Sequence, residues 1–329
     1  VISKTPTVTL AQLQAGMGER LAQVREQIRR AIAADLPLIS TVNAHLLQMQ
    51  GKLFRPTVVF LVHDATGGND PRVVRLAATV ELIHLATLVH DDSVDHSVLR
   101  RGMPTINALF SHQVSVIMGD YLYSRAVIEL VGLEDLEPLR VLARVTNEMT
   151  IGEMRQLLAH DRLRFTEDEY DLLIRAKTAS LLSAAAEVGA LRASAEQRAA
   201  MRRFGELLGM SFQIVDDVLD FVGDEQVTGK PSGSDLREHK VTLPLLYAFP
   251  RMSPAARSRV TTLMESPCPS DALIAEVIAD VEEAGGLAYA RQRAQQFALR
   301  AEAELELLPP SPARDTLRAS LLYVLERSS

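Results

Sequence analysis

The chain holds a single cysteine, Cys268, among its 329 residues, so no intrachain disulfide can form. A lone thiol fits a reducing compartment, and a cytoplasmic location is expected. No charge-free apolar run reaches the length that spans a bilayer. The first ten residues, VISKTPTVTL, lack the basic-then-apolar form of a signal peptide. They also start without Met, so a trimmed chain is expected. Basic residues are not in excess: 35 Lys and Arg face 42 Asp and Glu, for a net charge of −7. That balance argues against a nucleic-acid partner, because phosphate backbones select basic surfaces. Strand-like alternation, short-period repeats and low-complexity tracts are missing as well.

What remains is an ordinary globular composition, 47% apolar and 23% charged. The length would permit two domains, but the pattern is helical throughout. It predicts one all-α domain over 1–329, with many helices around a central cavity and 1–9 as a loose lead-in. Leu13, Met17, Leu21, Val24, Ile28 and Ile32 recur at helical spacing and predict one amphipathic helix over 10–34. Pro37 is expected to end it, and a short helix is expected over 39–49. Asn69 is the expected cap of the following long helix, with Pro71 in its first turn. Residues 114–132 are apolar nearly all round, which predicts burial on all sides or a subunit interface. Helices are further expected over 135–161, 167–176, 178–191, 196–222, 242–249, 253–265, 270–283, 285–307 and 311–326. The polar stretch 223–239 reads as an active-site flap.

Two acidic stretches carry the chemistry. ELIHLATLVHDDSVDHSVLRRG, over 81–102, places Asp91, Asp92 and Asp95 at the end of an apolar helix, with Arg100 and Arg101 behind them. Asp91 and Asp95 share a helix face, which costs a few tenths of a kcal/mol, roughly, as like charges four apart. A divalent cation is the simplest reason to keep them there. His84 lies about two turns back on the same face. GMSFQIVDDVLD, over 209–220, repeats the pattern with Asp216, Asp217 and Asp220, and Gln213 shares their face. A loop with Lys230 and Lys240 follows it. Hard carboxylate oxygens suit Mg2+, which commonly joins one or two protein carboxylates to substrate phosphate.

On these motifs the chain resembles the trans-isoprenyl diphosphate synthases, the polyprenyl synthetase family. The likeness rests on HDDSVDHSVLRRGMPTIN, GMSFQIVDDVLD, GKPSGSDLREHKVTLP, KTASL and the GKLFRP of 51–56. It runs from about residue 45 to the C-terminus. It implies the isoprenoid synthase fold, a homodimer, and condensation of an allylic prenyl diphosphate with isopentenyl diphosphate. By the resemblance, Lys52, Arg55, His84 and Arg101 hold isopentenyl diphosphate. Arg100, Lys177, Thr178, Gln213, Lys230 and Lys240 contact the allylic partner. Asp91, Asp95 and Asp216 are the first-choice metal ligands, with Asp92, Asp217 and Asp220 binding directly or through water. The implied order is ionisation, attack by the isopentenyl double bond, and proton loss to the released diphosphate.

Two departures stand out. Gln50 replaces a glycine of the family's GGKRxRP, and Leu53 stands where Arg is frequent, so one cation is expected to be missing. The C-terminus keeps Arg327 but lacks a second basic residue, so the tail is not expected to close the site. Glu153, Arg155 and Gln156 read as a helix face that is either solvated or supports the site from behind, and no chemistry is assigned to them. Ala86 and Thr87, one turn before the first acidic cluster, are small where short-chain relatives place rings, which implies a long-chain product. The rival readings are a short-chain farnesyl or geranylgeranyl diphosphate synthase, a terpene cyclase of the same fold, and a non-catalytic partner subunit.

Overall fold

The computed structural model describes residues 8–49, 51–158, 163, 165–222 and 232–327. Lys230, Gln50, most of the expected lead-in and most of the expected flap lie outside the described residues. The described residues are all-α apart from one small hairpin.

The N-terminal periodicity is buried as its spacing predicts, but on two helices rather than one. α1 (Leu10–Leu13) is closed by a Thr9–Gln12 capping box, and α2 (Gly18–Ala31) begins after Gly16, whose φ of 79° breaks the helix. Pro37 opens α3 (Pro37–Gln48) as its first residue, where a missing N–H is harmless. α4 (Phe54–Ala65) leads to α5 (Val73–Val94). The start of α5 is set by Arg72 rather than Asn69: the Asp70 carboxylate accepts the Arg72 N–H at 2.9 Å.

Among the described residues only α5 is long and apolar enough to cross a membrane, yet 67% of that window is buried inside the protein, which makes it a core helix. Its C-terminal end runs into β1 (Leu99–Arg100) and β2 (Met103–Pro104), an antiparallel hairpin turned at Arg101 and Gly102, both at positive φ. α6 (Ile106–Leu109) and α7 (His112–Val131) follow. α7 is not buried on all sides: it packs Ser115, Met118, Leu122, Ala126 and Leu130 inward and exposes Val116, Ile117, Tyr123, Ile128 and Val131. Among the described residues that second face is left exposed.

α8 (Leu136–Leu158) precedes a helical run that the sequence splits at residue 177. The structure keeps it continuous: α9 (Glu167–Ile174) passes through a π turn (Arg175–Ala179) into α10 (Ser180–Gly189). Such bulges re-aim side chains without ending a helix and gather at functional sites; this one carries Lys177 and Thr178. α11 (Ala195–Val222) packs against the π turn so closely that a Cβ on Gly209 would meet the Ala179 Cα at 2.5 Å. The backbones can approach this far only because the glycine has no side chain. α12 (Ser234–Arg237) falls inside the stretch expected to be a flap. α13 (Leu243–Ala248), α14 (Pro254–Glu265), α15 (Asp271–Glu283), α16 (Gly286–Glu304) and α17 (Pro312–Glu326) match the expected C-terminal helices. Ser253, Ser270 and Ser311 cap the starts of α14, α15 and α17.

The main core gathers α4, α5, α10 and α11, and a smaller one gathers Phe221, Leu236, Leu245, Val260 and Val277. Burial of each such leucine or valine contributes about 1.5–3 kcal/mol against the chain's entropy. The consequence for function is positional. Two helices anchored in one core, α5 and α11, end with their carboxylates toward the same space.

Candidate active site

Both acidic clusters sit at helix C-terminal ends, where the helix dipole disfavours anions. Each carboxylate therefore needs a partner, and the partners define the site. Asp92 is 4% exposed and takes the Arg100 Nε on both oxygens, at 2.8 and 2.9 Å. The β1–β2 hairpin makes this contact by folding Arg100 back over the end of α5. Asp91 is pushed up to about 6 by burial; Lys177 opposes that rise, while Glu153 and Asp95 add to it. Lys177 itself pairs with Glu153 at 2.6 Å, so of the two readings the sequence left open Glu153 supports the site through Lys177.

On α11, Asp216 pairs with Arg327 at 2.7 Å. Recess in the site pushes its pKa up, against the pull of Arg327, Arg55 and Lys52. Arg327 also lies 3.6 Å over the Phe212 ring and donates to the Phe212 carbonyl at 2.6 Å. The tail therefore does reach the site, against the sequence expectation. Phe212 stacks on Phe54, which in turn touches Tyr323, so α17 is seated on the elements that carry Arg55 and Asp216. Asp217 receives the Tyr170 hydroxyl at 2.6 Å and the Gln213 amide at 2.8 Å. Burial first, then Asp216 and Asp220, push it up to about 7, against those two donors. Thr178 donates to the Gln213 oxygen at 2.8 Å, which joins the π turn to α11.

A short path connects the two ends. The Asp235 N–H donates to Asp220 Oδ2 at 3.0 Å, and the Lys240 N–H donates to the Asp235 carbonyl at 2.7 Å. The Lys240 Nζ then reaches Asp95 Oδ2 at 3.2 Å and Glu238 at 2.6 Å. Burial works against the Lys240 ammonium, but Asp95 and Glu238 overcome it and hold its pKa above the ordinary lysine value. The Lys240 side chain thus pairs with the first cluster while its backbone is tied through Asp235 to the second.

A separate cationic group lies along α5 and the 51–56 element. Glu81, 4% exposed, is pushed up by burial and stabilised as an anion by Arg55, Arg101 and Arg25. Arg55 feels both Glu81 and Asp216 and has a buried Nε with no hydrogen-bond partner. Arg101 donates to the Met49 carbonyl at 2.8 Å, and Gly51 makes room for it: a Cβ there would sit 3.0 Å from two guanidinium nitrogens. Lys52 is exposed beside them. His84 is pushed well below the usual histidine range by burial, then by Arg55, Arg101 and Arg100. It is a neutral imidazole here, a hydrogen-bonding group rather than a cation. Leu53 takes a left-handed backbone (φ 53°) and buries its side chain in the core, which makes it part of the packing rather than of the charged lining.

Ala86 is buried and Thr87 half-buried on α5, with the Thr87 hydroxyl bonded to the His84 carbonyl. An apolar recess of about 180 Å3 among Leu163, Phe165, Val241, Leu246 and Phe249 lies beside Lys240 and is not lined by Ala86 or Thr87.

The donor set suits Mg2+. Among the described residues no three His, Cys, Asp or Glu side chains converge to hold a metal alone. Asp91, Asp95 and Asp216 would each bring one carboxylate, leaving coordination for diphosphate and water, the arrangement Mg2+ favours. The raised pKa values of Asp91 and Asp216 mark carboxylates that a divalent cation would relieve. Sequence reasoning named the aspartates and most of the cations described above. It missed Tyr170, Glu81, Asp235 and Glu238, whose roles arise from contacts between distant elements.

Comparison with known proteins places the chain among related sequences and folds. The family model described as polyprenyl synthetase matches residues 36–281. The octaprenyl diphosphate synthase of Escherichia coli (strain K12) is 36% identical over 299 residues, covering 90% of this chain and 92% of that protein. The crystal structure of a decaprenyl diphosphate synthase from Rhodobacter capsulatus superposes with a TM-score of 0.91 at 37% identity, covering 98% of this chain and all of that one. A polyprenyl synthase from Caulobacter crescentus CB15, complexed with calcium and isoprenyl diphosphate, gives 0.94 at 31% identity, covering 99% of this chain and 100% of that one.

Proposed function

The chain belongs to the polyprenyl synthetase family, and we propose that it is a trans-prenyltransferase that extends an allylic prenyl diphosphate with isopentenyl diphosphate to a long-chain polyprenyl diphosphate. The carrying observation is the division of charge. Lys240 pairs with Asp95 of the first carboxylate cluster and is tied through the Asp235 backbone to Asp220 of the second, while Arg55 and Arg101 form a second cationic group around Glu81. One diphosphate can be ionised at the first place and another held intact at the second.

Ionisation breaks the allylic C1–O bond and builds charge on the leaving diphosphate. Asp91, Asp95 and Asp216 would hold Mg2+, which supplies charge neutralisation on that diphosphate when bound. Lys177 and Lys240 add fixed positive charge beside the same carboxylates, preorganised so that little rearrangement is needed at the moment of reaction. Arg55, Arg101 and Lys52 hold isopentenyl diphosphate; Arg can engage phosphate bidentately and Lys acts as a point charge. Neutral His84 can donate one N–H to the same group. The isopentenyl π bond then attacks the allylic C1, and the new cation loses its proton to the released diphosphate. Both Arg327 on Asp216 and Arg100 on Asp92 must share their partners with the incoming charge.

The exposed apolar face of α7, with Val116, Ile117, Tyr123, Ile128 and Val131, supports a homodimer built on that helix. Small residues at Ala86 and Thr87, and the octaprenyl and decaprenyl diphosphate synthases among the relatives, support the long-chain product over a short-chain one. The test is product analysis of purified protein with Mg2+, isopentenyl diphosphate and geranyl, farnesyl or geranylgeranyl diphosphate as primers. Long polyprenols after dephosphorylation are the expected result. Hydrocarbon formed without isopentenyl diphosphate would instead establish a cyclase, and activity only with a second protein would establish a partner subunit.

A further inference from the structure

Tyr170 is 2% exposed and among the largest side chains sealed in the core. For packing alone a phenylalanine would serve. The hydroxyl is what distinguishes it, and a buried Tyr O–H needs an acceptor. Here the acceptor is a carboxylate of the second acidic cluster, 47 residues away in sequence: Asp217 Oδ2 at 2.6 Å. The other oxygen of that carboxylate, Oδ1, takes the Gln213 amide at 2.8 Å. Gln213 is in turn oriented by Thr178, at 2.8 Å. Tyr170 and Thr178 lie on the same run, α9 and the π turn, eight residues apart. One continuous element thus grips α11 at two points, one under Asp217 and one on Gln213.

Each neighbour on α11 is placed differently. Asp216 is 43% accessible on its side chain, and Asp220 offers one oxygen to the Asp235 N–H. Asp217 is 4% exposed with both oxygens occupied from within the protein. A carboxylate can rotate about χ2, and an untethered Asp217 could turn one oxygen toward its neighbours.

We propose that Tyr170 is a positioning residue for the metal-diphosphate site: with Gln213 it occupies both oxygens of Asp217, turning that carboxylate into the α9–α11 interface and leaving Asp216 and Asp220 as the α11 carboxylates presented to metal and diphosphate. The inference rests on the prenyltransferase reading above and assigns Tyr170 no contact with substrate. It acts through Asp217 alone. Charge-assisted hydrogen bonds to carboxylates are short and directional, which suits this task.

The test is Tyr170→Phe, which keeps the ring and removes only the donor. Direct binding of Mg2+ in the presence of inorganic pyrophosphate, by calorimetry, is expected to weaken by about fivefold, as loss of one charge-assisted bond would give. With farnesyl diphosphate as primer, kcat is expected to fall about tenfold while KM for isopentenyl diphosphate stays within about twofold. The Asp217→Asn variant, which keeps Tyr170, is expected to weaken Mg2+-pyrophosphate binding similarly, and adding Tyr170→Phe to it should change little further. A Tyr170→Phe chain with unchanged Mg2+ binding and unchanged kcat would overturn the inference, whatever its thermal stability. Full additivity of the two substitutions would overturn it too. A wild-type chain that makes no prenyl product would instead overturn the prenyltransferase reading.

Discussion

Lys240 reaches Asp95 at 3.2 Å although 145 residues separate them. Its own N–H bonds the Asp235 carbonyl, and the Asp235 N–H bonds Asp220, so the lysine belongs to the second acidic cluster by backbone and to the first by charge. Lys240→Met keeps most of the stem and removes the ammonium. It is expected to lower kcat by about ten- to a hundredfold, the scale of losing one preorganised charge at a leaving group. KM for isopentenyl diphosphate should change much less. Steady-state kinetics with each substrate varied in turn decides this, and a defect confined to isopentenyl diphosphate would assign Lys240 to the other subsite.

Asp91 and Asp216 come from different helices and are the carboxylates closest in role. Asp91→Ala and Asp216→Ala are each expected to reduce turnover by orders of magnitude, because Mg2+ charge stabilisation can supply several kcal/mol in the transition state. The far-UV circular dichroism should be unchanged. Either variant with full activity contradicts the assignment of metal ligands.

The pKa of Asp91 makes stability fall with rising pH in metal-free buffer. Burial raises it from an ordinary value of 3.8 to about 6. The folded state therefore binds more protons than the unfolded state between those values. The stabilising contribution is complete below the lower one and is lost as pH rises through about 6. Above that, a charged and poorly solvated carboxylate costs about 1–3 kcal/mol, less where water reaches it. Asp91→Asn should raise the thermal midpoint at pH 8 and lose that advantage near pH 4. Equal midpoints for the two proteins at both pH values would show that the carboxylate is solvated.

Gly209 permits the close contact of α11 with the π turn. Gly209→Ala would place a Cβ 2.5 Å from the Ala179 Cα, against backbone that cannot swing aside. The expected cost is about 1–3 kcal/mol, typical of overpacking. Spreading the two helices also pulls Thr178 from Gln213. Urea denaturation gives the stability change, and an unchanged midpoint would mean that the helices can part without strain.

Ala86 is buried one turn before the first acidic cluster. Ala86→Phe is expected to shorten the main product, read by reversed-phase chromatography of dephosphorylated polyprenols. Overpacking should also lower stability by about 1–3 kcal/mol. A shorter product with normal turnover per condensation places residue 86 on the path of the growing chain. An unchanged length distribution removes it from that path.

Much of this was readable before any coordinates. Helical periodicity located the long helices, because an apolar stripe at three-and-four spacing is a local property. The i, i+4 spacing of Asp91 and Asp95 and its repeat on α11 pointed to paired acidic ends. Boundaries were less legible: Gly16 divides the first helix, Pro37 starts rather than stops one, and the break expected at residue 177 is a π turn. Those outcomes depend on which neighbours each segment packs against. The task of Arg327 was not legible because it lies in contacts with Phe212 and Asp216, which no reading of the tail alone could supply.

By itself, then, the sequence determined the residue types and their order along each helix: carboxylates at two apolar helix ends, cations close behind, few charges between. Tertiary structure alone decided which charge meets which. It brought Tyr170 under Asp217, turned Arg100 onto Asp92, sealed Glu81 among three arginines and stretched Lys240 to Asp95. Helix periodicity is a matter of neighbours a few residues apart. The hydrogen-bonded pairs among these join residues eight to 145 positions apart, and only tertiary packing brings them together.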